Sequence, residues 1–430
     1  MRKASRGRRT KRAHVGFTSC LLFLVLVLGW LLYQIRFLHD YAAISQKRVD
    51  TDNDHSTFWT SHPQSSWKEI LAMSPPPPVP SVLVDNCAPF ATEGPSPDSL
   101  RLPHWSIISN IAINSSATRQ QQWCQWLTDE DRQALKPLEA QRRRNTQITS
   151  AAASHKKNNK SPKILCMVYT IQNRQDRWSA LIDTWASECD GFVLASNYTH
   201  HHQFTYFHSS HESSFSVTEL KVPHKGPENY DNMWQKVQCI WATVYQLYGQ
   251  EYDWFYICGD DTWVLVDSSL KGYLQSLTLA RPSKPQYVGA TAAHDGNASR
   301  LFHLGGPGYA LNRAALRVLI SQGLPQSPLL DREASFEDIF MGQIFRDLDI
   351  PISQTHDDHG RARFLHLSPQ HYAQKRYPKW YQRSQDNLPW MTAPLGPGFV
   401  SSEAVAFHRM GGDKMRAYHA WLYGYCAIRG

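Results

Sequence analysis

The 430-residue sequence lacks the short motifs of several large enzyme classes. It contains neither Gly-x-Gly-x-x-Gly nor Gly-x-x-x-x-Gly-Lys-Ser/Thr, so the phosphate-binding loops of dehydrogenases and of P-loop nucleotidases are missing. His-Glu-x-x-His and Gly-x-Ser-x-Gly are also absent, as is any Cys-x-x-Cys pair of the zinc-binding type. The commonest signals of metalloproteases, serine hydrolases and zinc-binding modules are therefore missing.

The excess of positive charge is almost confined to the first few residues. The formal net charge is +8, but residues 1–14 contain seven basic side chains and no acidic one, which leaves +1 for the rest of the chain. Nucleic-acid-binding domains usually carry a large basic patch or stripe. The near-neutral remainder therefore argues against a nucleic-acid partner.

Residues 15–35 form a stretch of 21 residues without a charged side chain. That length suits a membrane-spanning helix, and the basic tail at 1–14 places the preceding end in the cytoplasm. A cleaved secretory signal is the alternative, but the stretch exceeds a usual signal core and no small-residue cleavage site follows Ile35. We therefore expect a retained signal-anchor, a type II protein and a membrane of the early secretory pathway.

Cysteines and glycosylation motifs agree with a lumenal location. Seven of the eight cysteines follow the predicted span, where disulfides can form, and an odd number leaves at least one unpaired or bonded to another chain. Cys87 and Cys124 suggest a small ordered patch with a disulfide. The four Asn-x-Ser/Thr acceptors are Asn114, Asn159, Asn197 and Asn297.

The sequence predicts a lumenal stalk over residues 36–160, followed by a catalytic domain over residues 161–430. The run Ser74–Pro80 is typical of an extended polyproline spacer. An N-cap signal predicts a helix over Thr128–Arg144, which Pro137 would interrupt.

From residue 163 onwards, apolar runs alternate with helical patterns. Ile164–Thr170, Phe192–Ala195 and Phe215–Val222 favour strands, and Asp231–Tyr248 favours an amphipathic helix. Such alternation predicts an α/β fold with a mainly parallel sheet. Ligands of these sheets bind beyond the carboxyl ends of the strands.

Two adjacent acids, Asp260 and Asp261, follow the apolar run Tyr252–Cys258. Carboxylates at the end of a buried strand are usually paired or bound to a metal ion, because burying a lone charge is costly. Their oxygens suit Mg²⁺ or Mn²⁺, ions that can clamp a diphosphate. The alternative is a turn with solvated side chains.

Three weaker signals follow along the chain. Leu304–Leu311 contains several glycines and predicts a loop that leads into a helix over residues 312–320. Glu337 and Asp338 stand at the head of a predicted helix, where acids also complement the helix dipole. His408 ends a predicted strand, and such a histidine is either a satisfied core residue or a metal ligand.

The order of these motifs resembles the fringe-like β1,3-glycosyltransferases, above all the core 1 β1,3-galactosyltransferases, over residues 163–425. The motifs that carry the resemblance are Ile164-Leu165-Cys166, Thr184-Trp185-Ala186, Trp234-Gln235-Lys236, Asp253-Trp254-Phe255, Asp260-Asp261-Thr262, Gly305–Tyr309, Glu337-Asp338, Gly396-Pro397-Gly398 and Phe407-His408. The resemblance implies a Rossmann-like GT-A fold and a UDP-sugar donor. It also implies inverting transfer of galactose or a related hexose to the 3-hydroxyl of an acceptor sugar, such as O-linked GalNAc on a glycoprotein.

The resemblance also implies roles for individual residues. Asp261 and His408 would hold Mn²⁺ with Asp260 beside them, while Asp338 would be the general base. Glu337 would support either the base or the acceptor. The residues implied near donor or acceptor are Lys236, Trp234, Gly305, Gly306 and Tyr309, and the implied disulfide is Cys166–Cys189. The implied partners are a glycoprotein or glycan acceptor and the membrane, here that of the Golgi. A homodimer is compatible with the resemblance.

The sequence departs from the family pattern at three places. Gly259 stands where the family has the first acid of its Asp-Asp-Asp triplet, an acid that usually helps to hold the donor. Phe399-Val400 replaces a Cys-Cys pair, and Ser402 replaces an aspartate. The alternative reading is therefore a non-catalytic lumenal binding or chaperone-like relative of the same fold.

Overall fold

The computed structural model describes residues 67–88, 94–102, 122–152, 161–170, 175–196, 201–208, 211–281, 283–390, 393–423 and 426. All of them lie in the compact unit Ser66–Gly430. The strands are β1 Ile164–Tyr169, β2 Gly191–Ser196, β3 His201–His208, β4 His211–Lys221, β5 Trp254–Gly259, β6 Trp263–Val264, β7 Tyr287–Ala293, β8 Leu301–Asn312, β9 Phe364–Leu365 and β10 Ala406–Phe407. The α-helices are α1 Trp67–Ala72, α2 Ser81–Asn86, α3 Asp129–Ala152, α4 Gln175–Asp183, α5 Met233–Tyr248, α6 Lys271–Ala280, α7 Arg313–Val318, α8 Glu337–Asp347, α9 Pro369–Ala373, α10 Lys379–Asp386 and α11 Gly412–Leu422.

The predicted membrane location requires a correction. Within the ranges that the structure describes, none of the helices combines the length and the apolar character needed to cross a membrane. The prediction of a single-pass type II protein of the Golgi membrane is therefore not supported. The predicted tail at 1–14 and span at 15–35 lie outside the described residues.

The glycosylation motifs are only partly within the described residues. Asn114, Asn159 and Asn197 fall outside them, whereas Asn297 is exposed in the turn before β8. The Asn297 side chain accepts a hydrogen bond from the backbone N–H of Ser299 at 2.9 Å. Its glycosylation stays a prediction.

A seven-stranded sheet forms the centre of the fold, in the order β3-β4-β2-β1-β5-β8-β7. Strands β4, β2, β1 and β5 are parallel, and antiparallel strands flank them on both sides. The predicted α/β fold with a parallel sheet centre is confirmed. The predicted glycine-rich loop at 304–311 is wrong, because these residues form part of the long antiparallel strand β8.

The central strands are buried on both faces, as expected of a parallel sheet covered by helices. Alternate residues of β1 and β5 enter two separate hydrophobic clusters, one on each face of the sheet. The first cluster contains Cys166, Val168, Trp254 and Tyr256, and the second contains Leu165, Met167, Phe255 and Ile257. This double packing fixes the carboxyl end of β5, where the two predicted site acids begin.

Disulfides join parts of the predicted stalk to the domain. The three bonds are Cys87–Cys239, Cys124–Cys426 and Cys166–Cys189, the last of which confirms the implied pair. Among the described cysteines, the free one is Cys258, which is buried at the end of β5. Because the first two bonds attach residues 87 and 124 to the domain, these parts of the segment do not behave as an extended spacer. The boundary at residue 161 stays a prediction.

The predicted interruption at Pro137 is wrong, because α3 continues through it from Asp129 to Ala152. Asp131 accepts a hydrogen bond from the Thr128 backbone N–H at 2.9 Å, which caps the helix start. Lys414 and Tyr418 of α11 both donate to the buried Asp131 carboxylate. Packing and ion pairing against α11 therefore offset the backbone hydrogen bond that a proline removes.

Glu188 predicts a pH-dependent stability. Its buried carboxyl accepts hydrogen bonds from the Asp267 backbone N–H at 3.0 Å and from the Tyr423 hydroxyl, and burial raises the pKa of Glu188 from 4.5 to about 7. The folded state therefore holds one more proton than the unfolded state between these values, so the free energy of unfolding falls as pH rises through that window.

Glu188→Gln keeps a carbonyl oxygen that can accept from the Asp267 backbone N–H, and its amide NH2 can donate to the Tyr423 oxygen, but it cannot ionise. We expect a higher Tm than wild type at pH 8, by on the order of 5 °C, and little difference at pH 4. Thermal denaturation followed by circular dichroism at both pH values measures this effect. An equal pH dependence of Tm in the two proteins would contradict it.

Candidate active site

The predicted site residues meet at the carboxyl ends of β1 and β5. Asp260 and Asp261 follow β5, His408 follows β10, and Glu337 and Asp338 begin α8. A second sheet of three strands, in the order β6-β10-β9, carries His408. The His408 backbone N–H donates to the Leu365 carbonyl at 3.0 Å, and the Met410 backbone N–H donates to the Asp261 carbonyl at 2.9 Å, which holds the His408 segment beside Asp261. Residues far apart in sequence are thus brought to one edge of the sheet.

Asp261 and His408 form a close pair. His408 Nε2 lies 3.1 Å from Asp261 Oδ1, and the two side chains are 16% and 24% exposed respectively, so solvent reaches the pair. Burial alone would raise the pKa of Asp261, but the hydrogen bond with His408 and the charge of Arg177 outweigh it and lower that pKa. Asp261 is therefore a carboxylate at neutral pH.

Asp260 faces a different set of partners. Its Oδ2 accepts from Thr170 Oγ1 at 2.9 Å, and its Oδ1 accepts from Arg177 Nη1 at 3.3 Å. Arg177 Nη1 also lies 3.6 Å from Asp261 Oδ2, so one guanidinium bridges the two acids. Asp260 therefore orients Thr170 and Arg177, and its oxygens are not directed to His408 as the expected metal site would suggest.

The site fits a metal ion only as a two-residue half-site. Asp261 and His408 supply an oxygen and an imidazole nitrogen, both of which suit Mn²⁺. In the part of the chain that the structure covers, His, Cys, Asp and Glu form no group of three or more arranged to hold a metal ion. Ions that serve diphosphate substrates commonly take one or two protein ligands and fill the remaining positions with phosphate oxygens and water.

Asp338 lies at the start of α8, against the backbone of Gly305. It is partly exposed, its Oδ2 accepts from the Gly305 backbone N–H at 3.1 Å, and its Oδ1 accepts from the Ile339 backbone N–H at 2.9 Å. Burial raises the pKa of Asp338, while these two backbone donors partly offset the rise. A carboxylate with a raised pKa takes up a proton more readily than an ordinary aspartate does.

Gly305 and Gly306 let β8 pass between the two halves of the site. A Cβ atom at Gly306 would lie 2.3 Å from His408 Nδ1, and one at Gly305 would lie 1.8 Å from Glu337 Oε1. Neither distance is compatible with a side chain. The two glycines therefore serve the close approach of His408 on one side and of Glu337 on the other.

Three residues implied near the donor or acceptor lie beneath the site. Trp234 and Tyr309 are fully buried, and their polar atoms bond to a backbone carbonyl and to an α8 carboxylate respectively. Lys236 is buried as well, where it pairs with Glu228 and donates to the backbone carbonyl of Thr170. The polar groups of these three residues are engaged inside the protein, and their part in ligand binding stays a prediction.

Two arginines at the site escaped the sequence analysis. Arg177 lies in α4, outside every motif, and its role depends on the fold bringing α4 to Asp260. Arg409 is exposed, has a left-handed backbone (φ 59°), and forms no ion pair with any described residue. A positive φ is uncommon in a non-glycine residue, and no sequence pattern predicts it at Arg409.

Comparisons with known proteins agree with the motif order. No protein-family model matches the chain. Over 224 residues it is 24% identical to glycoprotein-N-acetylgalactosamine 3-beta-galactosyltransferase 1 of Xenopus laevis. The chain is a distant relative of that enzyme. The match covers 49% of this chain and 58% of the relative, so the chain spans little more than half of the relative's length. The similarity to a β1,3-galactosyltransferase, which the motifs indicated, is thereby confirmed.

Proposed function

We propose that the chain is an inverting glycosyltransferase of the GT-A type that uses a UDP-sugar. It moves galactose or a related hexose to the 3-hydroxyl of an acceptor sugar, such as O-linked GalNAc on a glycoprotein. The observation that carries the proposal is the convergence of the Asp261–His408 pair and Asp338 on the adjacent glycines Gly305 and Gly306. A pair that can hold a cation and a carboxylate that can accept a proton are the two parts that such a transfer needs.

The Asp261–His408 pair is the proposed donor end of the site. Both residues would hold Mn²⁺, which when bound neutralises the charge that builds on the departing UDP. Arg177 and Arg409 add positive charge at the same end of the sheet. Gly259 occupies the position of the first acid of the family triplet. A Cβ atom at this position would lie 3.3 Å from Asp261 Oδ1, which is a tight contact.

Asp338 is the proposed acceptor end. Its carboxylate takes the proton of the attacking hydroxyl while that oxygen forms a bond to the anomeric carbon of the donor sugar. The bond between that carbon and the UDP oxygen breaks on the opposite face, so the configuration at the anomeric carbon inverts. The proton ends on Asp338 and the electron pair of the broken bond leaves with UDP.

The test is transfer by the purified full chain from UDP-galactose to a peptide that carries α-linked GalNAc. We expect a β1,3-linked disaccharide product with Mn²⁺ and none with EDTA, as measured by mass spectrometry and NMR. A folded protein that binds UDP but turns over no UDP-hexose would contradict the proposal. That result would favour the alternative that the chain is a non-catalytic binding relative. Gly259, which replaces the first acid of the family triplet, supports the same alternative.

A further inference from the structure

Glu337, the first residue of α8, lies almost wholly inside the protein beside the proposed base. Only 4% of the Glu337 surface is exposed to solvent. Glu337 Oε2 accepts a hydrogen bond from the Tyr309 hydroxyl at 3.0 Å, and that hydroxyl accepts one from Trp241 Nε1 at 3.4 Å. Glu337 Oε1 faces Gly305, whose lack of a side chain provides the space.

The groups that face Glu337 offer no positive charge. Tyr169 from β1, Tyr230 before α5, Tyr287 from β7, Tyr309 from β8 and the neighbouring Asp338 lie near enough to interact with it, and no lysine, arginine or histidine of the described residues forms an ion pair with it. Burial raises the pKa of Glu337 well above its usual range, and the charge of Asp338 raises it further. These neighbours favour a carboxyl group without charge.

The energetics of burial support the same conclusion. Removing an ion from water is costly even after relaxation of the protein, and hydrogen bonds to the charged group and a helix N-terminus return only part of that cost. Glu337 has one such hydrogen bond and an adjacent negative charge, so the favourable contributions do not cover the cost of an anion.

Asp338 differs from Glu337 in the contacts that an anion needs. It is partly exposed, and its two oxygens each accept a backbone N–H, from Gly305 and from Ile339. Of the two adjacent acids, Asp338 therefore has the donors and the solvent access for a negative charge. Gly305 touches both acids, because its N–H donates to one and its Cα lies against the other.

We propose that Glu337 is held as a neutral carboxylic acid and acts as a positioning residue, so that the Glu337–Asp338 pair carries one negative charge, located on Asp338. The neutral acid packs against Gly305 and thereby fixes the N–H that binds Asp338. It also spares Asp338 a second negative neighbour, which would favour its protonated, inactive form. The role of Asp338 as the base rests on the proposed function, whereas the protonation of Glu337 does not.

Infrared spectroscopy of the full chain with ¹³C-labelled glutamate carboxyl groups tests the protonation directly. At neutral pH we expect a glutamic-acid C=O band that shifts with the label and is missing in Glu337→Gln, separate from any band of Glu188. The control Glu188→Gln should retain this band. Absence of a label-sensitive band in the folded wild-type protein would overturn the proposal without relying on any variant.

The pH profile of kcat/KM tests the positioning role. In Glu337→Gln we expect kcat/KM to fall by up to about tenfold, while the apparent pKa of its acidic limb stays within about 0.3 units. If Glu337 were ionised in the wild type, its replacement would remove a negative neighbour and lower that pKa by about one unit or more, which would overturn the proposal. A protein that shows the infrared band but transfers no sugar would contradict the proposed function alone.

Discussion

Asp338→Asn is expected to lower kcat for sugar transfer by a factor of about 10²–10⁴ and to leave the binding of UDP with Mn²⁺ unchanged. The substitution removes the group that accepts the proton but keeps the shape of the side chain and one oxygen for a backbone donor. The Asp261–His408 pair, which lies on the other side of Gly306, stays intact. Steady-state kinetics measures the first effect, and titration calorimetry with UDP measures the second.

The matched control for Asp338→Asn is Asp347→Asn, an exposed aspartate at the other end of the same helix. It makes the same chemical change on α8 without touching the site. Loss of UDP binding in Asp338→Asn would mean that this residue holds the donor and is not the base. Equal kcat in Asp338→Asn and wild type would exclude it from proton transfer.

Asp261→Asn is expected to raise the Kd for UDP in the presence of Mn²⁺ by about 100-fold or more, and His408→Ala by a similar amount. The reason is that the two side chains lie 3.1 Å apart and would share one ion. Loss of either ligand should therefore remove most of the metal-dependent affinity, and the double variant should be little worse than each single one. Calorimetric titrations with and without Mn²⁺ separate this effect from direct contacts to UDP.

Asp260→Asn is the informative comparison for Asp261→Asn, because the two acids are adjacent but differ in orientation. Asp260 faces Thr170 and Arg177, so we expect its substitution to raise the Kd for UDP by less than about tenfold. An effect of Asp260→Asn as large as that of Asp261→Asn would show that both acids bind the ion. A Kd for UDP that is independent of Mn²⁺ in wild type would contradict the metal role of Asp261 and His408.

The central sheet was predictable because its signals are local. An apolar run such as Ile164–Thr170 has the length and composition of a strand covered on both faces. The helix over Met233–Tyr248 was indicated by apolar residues at helical spacing, although the fold buries nearly all of its residues. Acids placed directly after such a strand must lie at the sheet edge. The positions of Asp260 and Asp261 therefore followed from the sequence, although the directions of their side chains did not.

The remaining features depend on contacts between distant segments. β8 contains Gly305, Gly306 and Gly308, a composition that weakens isolated strands, and it forms because it pairs with β5 and β7. The partner of Cys87 is 152 residues away in sequence, and no spacing rule identifies it. The sequence motif implied that Lys236 lies near the donor or acceptor, and its ion pair with Glu228 became evident only from the fold.

The Cys124–Cys426 bond, with its sequence separation of 302 residues, bears on the order in which a newly made chain can mature. The ribosome must have added residue 426 before this bond can form, whereas the Cys166–Cys189 bond becomes available some 240 residues earlier. His408 belongs to the same late segment. A nascent chain that already contains Asp261 and Asp338 therefore still lacks the partner of Asp261, and the proposed donor end of the site is completed after the proposed acceptor end.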